Sequence, residues 1–89
     1  MLTDRYLVGE YRNCIGGVQR LYLFASGYGL SLINSPIAHA YPYAWEAAVL
    51  DPDGDIAYDT PLAEDVVVFR TDDEANAFIE QAASTLSNL

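Results

Sequence analysis

The stretch from Trp45 to Pro61, WEAAVLDPDGDIAYDTP, constrains the chain most, because apolar residues alternate on both sides of a group of turn-forming residues. Strand side chains point to opposite faces with a period of two. On the first arm Trp45, Ala47 and Val49 therefore share one face and Glu46, Ala48 and Leu50 the other, while on the second Ile56 and Tyr58 alternate with Asp55, Ala57 and Asp59. Between the arms stand Asp51, Pro52, Asp53 and Gly54. Proline pre-sets its own φ, aspartate hydrogen-bonds its own backbone and glycine takes positive φ freely. The stretch predicts two short strands joined by an acidic turn.

The flanking sequence extends this to a sheet. Val18 to Ala25 is rich in aromatic and branched residues, and Tyr28 to Ile33 resumes after Ser26-Gly27, a pair suited to a two-residue hairpin turn. Leu21 and Leu23 share one face of this hairpin and Arg20, Tyr22 and Phe24 the other, so both faces carry hydrophobic groups. Val66 to Phe69 suits a short buried strand. Thr71 and Glu74 then match the capping box, in which each side chain satisfies the other's free backbone donor. Asp72, Asp73 and Glu74 fall where the positive end of a helix dipole favours acids. Ala75, Phe78, Ile79, Ala82 and Leu86 recur at spacings of three and four, predicting a helix over about Asp72 to Leu86 with one apolar stripe.

Met1 to Gly17 reads as a strand or irregular arm, since Tyr6 and Val8 alternate while Gly9 and Gly16-Gly17 oppose a long helix. Ser35 to Ala44, interrupted by Pro36 and Pro42, reads as a loop outside the sheet, and Pro61 to Asp65 as a turn. The expected architecture is α+β, one domain over residues 1–89: an antiparallel sheet of four to five strands with one carboxy-terminal helix packed on one face. A chain of 89 residues has room for one core, burying roughly 60–65% of its unfolded surface. One helix covers one sheet face. The other must meet the amino-terminal arm, a second subunit or a partner.

Charge narrows the function. Thirteen acids face four bases, all Arg, for a net charge of −9. Such a field repels phosphate backbones and anionic lipid, so direct binding of nucleic acid or membrane is not expected. Eleven of the thirteen acids lie between Glu46 and Glu80, against Arg70 alone, which predicts an acidic side. That side either keeps the protein clear of aggregation or docks on a basic partner. No apolar run reaches the roughly 18 residues of a membrane span, and the amino end lacks the basic-then-apolar pattern of an export signal. The expected location is cytoplasmic.

Catalytic and metal motifs fail on spacing. The lone Cys14 has no nearby His or second Cys, and reads as a small buried hydrophobe. His39 has no second ligand at metal spacing. Asp51, Asp53 and Asp55 alternate as in a calcium loop, but an EF-hand puts Gly sixth and Glu twelfth, where this chain has Gly54 fourth and Leu62 twelfth. Paired carboxylates on an exposed turn of so small a domain offer no cleft for glycoside hydrolysis. Gly27-Tyr28-Gly29-Leu30-Ser31 lacks the Lys, the third Gly and the following helix of a phosphate loop, and reads as hairpin geometry. No cofactor and no enzymatic activity are expected.

The order Tyr22-Leu-Phe, Gly27-Tyr-Gly-x-Ser31, then Trp45-Glu-x-Ala-Val-Leu-Asp51-x-Asp-Gly54-x-Ile-x-Tyr58-Asp-Thr-Pro61, an acidic turn and a short terminal helix resembles small acidic proteins of tailed bacteriophages. The resemblance runs from about Tyr22 to Leu86 and carries no catalytic residues with it. It implies a context in which small acidic proteins inhibit host machinery, among them anti-CRISPR proteins and mimics of the DNA backbone. The leading expectation is a non-enzymatic phage-encoded inhibitor in the host cytoplasm that binds a basic host protein, such as a CRISPR or other nucleic-acid-binding defence complex. Asp51, Asp53, Asp55, Asp59, Glu64, Asp65, Asp72 and Asp73 would present phosphate-like charge, with Tyr22, Tyr41 and Tyr43 as anchors. The alternative is an assembly module that forms a homodimer through the uncovered aromatic sheet face.

Overall fold

A computed structural model describes residues 2–12, 17–34, 45–57 and 67–86. Five strands form one antiparallel sheet in the order β1-β2-β3-β4-β5: β1 (Leu7–Arg12), β2 (Val18–Leu23), β3 (Gly29–Asn34), β4 (Trp45–Leu50) and β5 (Val67–Phe69). The helix α1 (Asp72–Leu86) follows. This is the expected α+β architecture. The amino-terminal stretch resolves to β1, an edge strand beside β2 with a register shift between Leu7 and Gly9.

Alternation assigns the two faces as expected. Tyr22 is paired with Leu30, Leu32 with Ala47 and Leu30 with Val49, and these residues with Phe24 and Phe69 make the buried side of the sheet. Against them α1 lays Ala75, Ile79, Ala82 and Leu86, all fully buried. The two alanines on this stripe let the helix backbone come close, and each larger side chain contributes about 1.5–3 kcal/mol of burial. Phe78 is half-buried, its ring 5.1 Å from that of Phe69.

The helix begins where the sequence predicts, with one change in the cap. The Glu74 N–H donates to Thr71 Oγ1 (3.1 Å), but the Glu74 carboxylate accepts from the Arg70 N–H (3.2 Å) and the Thr71 hydroxyl (3.3 Å). The reciprocal bond of the capping box is thus made one residue earlier than expected, and still ties the chain entering the helix to its first turn.

Three details differ from the sequence reading. First, the β2–β3 connection is Ala25-Ser26-Gly27, a three-residue loop. The Gly27 N–H donates to the Phe24 carbonyl (3.0 Å) and the Phe24 N–H to that of Tyr28 (2.9 Å), with Gly27 at φ 94° as the αL residue this loop demands. Second, among the described residues the second arm contributes only Ile56, which bridges Leu50, and the Ala57 N–H, which donates to the Val49 carbonyl (2.8 Å), while Tyr58 to Pro61 lie outside the described residues. The outer edge of β4 is shared, with Ile56 and Ala57 at its far end and β5 at Trp45–Ala47. Third, β5 is an edge strand, and Val68 at its centre is exposed. Val66, the loop 35–44, the turn 61–65, Cys14 and His39 lie outside the described residues.

The amino-terminal arm seals the helix side. Leu2 is buried in the core, and the Tyr6 ring meets Phe24 edge-on at 5.2 Å. Arg20 fixes this arm from beneath. Its guanidinium donates to the Tyr22 hydroxyl (3.0 Å), the Thr3 carbonyl (3.1 Å), the Asp4 carboxylate and the Glu10 carboxylate (3.4 Å). The Tyr22 hydroxyl in turn donates to the Thr3 carbonyl (3.0 Å), and the Thr3 N–H to Asn76 Oδ1 on α1 (2.8 Å). Burial opposes the charge on Arg20, but the Asp4 hydrogen bond, Tyr22 and Glu10 outweigh it and hold the pKa above its ordinary value.

Tyr22 gives this network a measurable pH dependence. Burial pushes its phenol above its ordinary value, overcoming the opposing pull of Arg20. A group held neutral in the fold contributes stability that is complete below its unfolded pKa, about 10, and is lost as pH rises through the folded value. Urea unfolding is therefore expected to show a midpoint that drops on going from pH 9 to pH 11. Tyr22→Phe is expected to lower the midpoint at pH 9 and to flatten the part of the pH dependence that Tyr22 supplies.

Candidate interaction surface

Among the described residues the sheet face opposite α1 is largely accessible to water, with Ser31 and Glu46 buried on it. Large hydrophobic residues exposed by 43% to 62% among the described residues are Val8, Tyr11, Leu23, Ile56 and Val68, and all five belong to this face. Register accounts for it: Tyr11 pairs with Gln19, Gly9 with Leu21, and Val68 with Glu46. The amino-terminal arm was one candidate to cover this face, but it packs on the helix side.

Two connected depressions follow the open face. The larger, about 530 Å³, is lined by Gln19, Leu21, Ser31, Ile33, Glu46, Ala48, Leu50, Gly54 and Ile56. The smaller, about 160 Å³, shares Leu21, Leu50 and Gly54 and adds Val8, Leu23 and Asp51. Its shape comes from the cross-strand rows. Leu23, Gly29 and Leu50 form one row and Leu21, Ser31 and Ala48 the next, so small residues on β3 and β4 leave the floor low between larger walls. Polar groups on the floor are matched internally, with Gln19 Nε2 donating to Ser31 Oγ (2.9 Å).

The acidic turn closes one end of this trough. Asp51 is its organiser: Oδ1 accepts from the Asp53 N–H (2.9 Å) and the Asp55 N–H (3.1 Å), the Asp51 N–H donates to the Asp55 carbonyl (2.8 Å), and the Gly54 N–H to that of Asp51 (2.9 Å). Gly54 takes φ 89°, as the reversal requires. Asp51 is thus spent largely on its own backbone, whereas Asp53 and Asp55 stand exposed.

The other expected site residues are distributed differently. Tyr22 is only 2% exposed and belongs to the core, so its assignment as an anchor for a partner is corrected. Phe24 is buried with it, and the uncovered face is mainly aliphatic, not aromatic as expected. Asp72 is half-buried and accepts from the Trp45 indole N–H (3.0 Å), while Asp73 is exposed in the first turn of α1. These two acids sit at the Trp45 end of β4 and the Asp51 turn at the Leu50 end, about 17 Å apart at 3.4 Å per residue. Of the acids expected to meet a partner, the described ones therefore form two groups, not one track. Asp59, Glu64, Asp65, Tyr41 and Tyr43 lie outside the described residues.

Among the described residues no group of three His, Cys, Asp or Glu is placed to hold a metal ion, and no helix is long and apolar enough to cross a membrane. Comparison of the chain with family models, curated proteins and solved structures returns no match.

The turn's internal bonds separate its structural acid from its exposed ones. Asp51→Ala strips two backbone donors of their acceptor and is expected to cost about 1 kcal/mol in chemical denaturation. Asp51→Asn keeps an acceptor oxygen and is expected to lose less than half of that, and Asp53→Asn or Asp55→Asn to stay within about 0.5 kcal/mol of the parent.

Proposed function

We propose that the protein is a non-enzymatic, phage-encoded binding module that engages a basic host protein and blocks it, with nucleic-acid-binding defence complexes, CRISPR effectors among them, as the class it suits. The observation that carries this reading is the collection of exposed large hydrophobic residues on one sheet face, around the buried Glu46 and beside the exposed Asp53 and Asp55. A contiguous apolar patch with a charged margin is what a protein interface has and what a free-standing surface avoids. The net charge of −9 supports a basic partner, because it speeds encounter with Lys/Arg-rich surfaces. The resemblance to small acidic phage proteins supports the inhibitor role.

The reading differs from simple backbone mimicry. A phosphate mimic needs charge along a line, and the described candidate acids fall at the two ends of β4, Asp51, Asp53 and Asp55 at one and Asp72 and Asp73 at the other. Charge here steers, and the apolar face holds.

Affinity capture from a bacterial lysate at low salt, with a high-salt wash and mass spectrometry, tests this. The expected result is one nucleic-acid-binding complex, captured more slowly by Asp53→Asn/Asp55→Asn and displaced by added duplex DNA. Recovery of the protein alone at twice its monomer mass would contradict it and identify an assembly module instead.

A further inference from the structure

We propose that the trough on the open sheet face receives an amphipathic helix of the partner, apolar on the side that enters it and carrying Lys or Arg where it passes the acidic turn. This rests on the reading of the protein as a binding module, and names the surface and the chemistry of what it binds.

Shape argues for a helix. From β1 to β4 the face spans three inter-strand spacings, about 14 Å, and a helix with its side chains is about 10–12 Å across. The low floor of Gly29, Ser31 and Ala48 between Leu21, Leu23, Leu50 and Ile56 is concave in the direction a cylinder fills. Helix-in-groove recognition works through apolar anchors at i, i+3, i+4 and i+7, which here meet a lining that is mostly aliphatic, with Gln19, Ser31 and Glu46 as its polar members.

Charge decides the kind of helix. Asp51, Pro52 and Gly54 line the trough itself, and Asp53 and Asp55, on either side of Gly54, are exposed in the same turn. A basic side chain at the flank of a bound helix finds them without crossing the apolar floor. A second copy of this chain fits neither criterion. It would bring a second charge of −9 against the first, and two concave floors facing one another leave voids that forfeit dispersion contacts.

The test uses the full chain, isotope-labelled, and a synthetic Leu/Lys peptide of about 18 residues, five helical turns, with leucines at helical spacing. Two controls share its composition or shape: a scrambled Leu/Lys peptide and the same helix with Glu for Lys. The expected result is amide shifts confined to Leu21, Ser31, Ala48, Leu50 and the turn from Asp53 to Ile56. Binding of the scrambled and Glu peptides, and binding of the Leu/Lys helix to Leu23→Ser or Ile56→Ser, is expected to be at least about tenfold weaker. Both substituted residues are about half exposed, so the fold is expected to survive, and Asp53→Asn/Asp55→Asn, which touches no packing, is expected to weaken the Leu/Lys helix alone.

Shifts centred on α1, equal affinity for the scrambled peptide, or a concentration-dependent dimer dispersed by Leu23→Ser would each overturn the proposal. A lysate partner retained in full by Leu23→Ser and Ile56→Ser would overturn it too, while leaving the binding-module reading intact.

Discussion

A guanidinium shut away from water costs several kcal/mol unless its donors are met, and Arg20 on β2 is such a group. Its nitrogens reach Tyr22, Thr3, Asp4 and Glu10, which come from three separate parts of the chain. Only when the amino-terminal arm crosses over β2 are all four in place. The cost of burying the charge therefore becomes a condition on the arm's position, and Thr3 passes that condition to α1 through Asn76. Lysine cannot replace this residue, because a point charge with three donors on one nitrogen does not span acceptors that lie on different sides.

The arm's position settles which face of the sheet is left open. With Leu2 and Tyr6 drawn to the helix side, the core there is closed by sheet, helix and arm together. Nothing of the described chain remains for the other face, whose Val8, Leu23, Ile56 and Val68 stand in water. Leaving such residues exposed gives up burial that a monomer of this size can scarcely spare. The same residues regain it on meeting a partner.

Much of the fold was legible because it rests on local pattern. The alternation in Trp45–Leu50 and the three-and-four spacing of Ala75 to Leu86 depend on a period, and a period survives whatever packs against it. What pattern does not encode is which of two apolar faces meets the helix. Arg20 shares a face with Tyr22 and Phe24, and a charged residue argues for solvent, so Tyr22 reads as an exposed anchor until the arm supplies partners for its neighbour. The open face was legible as a surplus and not as a place. In the turn, three alternating aspartates read as equal charges, although aspartate three residues before a glycine is the usual organiser of such a reversal, which was the signal for Asp51. β4 divides its outer edge between the nearby Ile56, which bridges Leu50, and the distant β5, and the second partner is a long-range choice that sequence spacing does not encode.

On the helix side Leu30, Leu32, Ile79 and Leu86 are shut off from water, whereas Val8, Leu23, Ile56 and Val68 on the opposite face are exposed by 43% to 62%. Methyl relaxation in the presence of a neutral, soluble paramagnetic probe measures this directly in the free protein. The account predicts strong broadening of the methyls of Val8, Leu23, Ile56 and Val68, with those of Leu30, Leu32, Ile79 and Leu86 untouched. Protection of the first group equal to that of the second would contradict it, since something would then already cover the face that this structure leaves open.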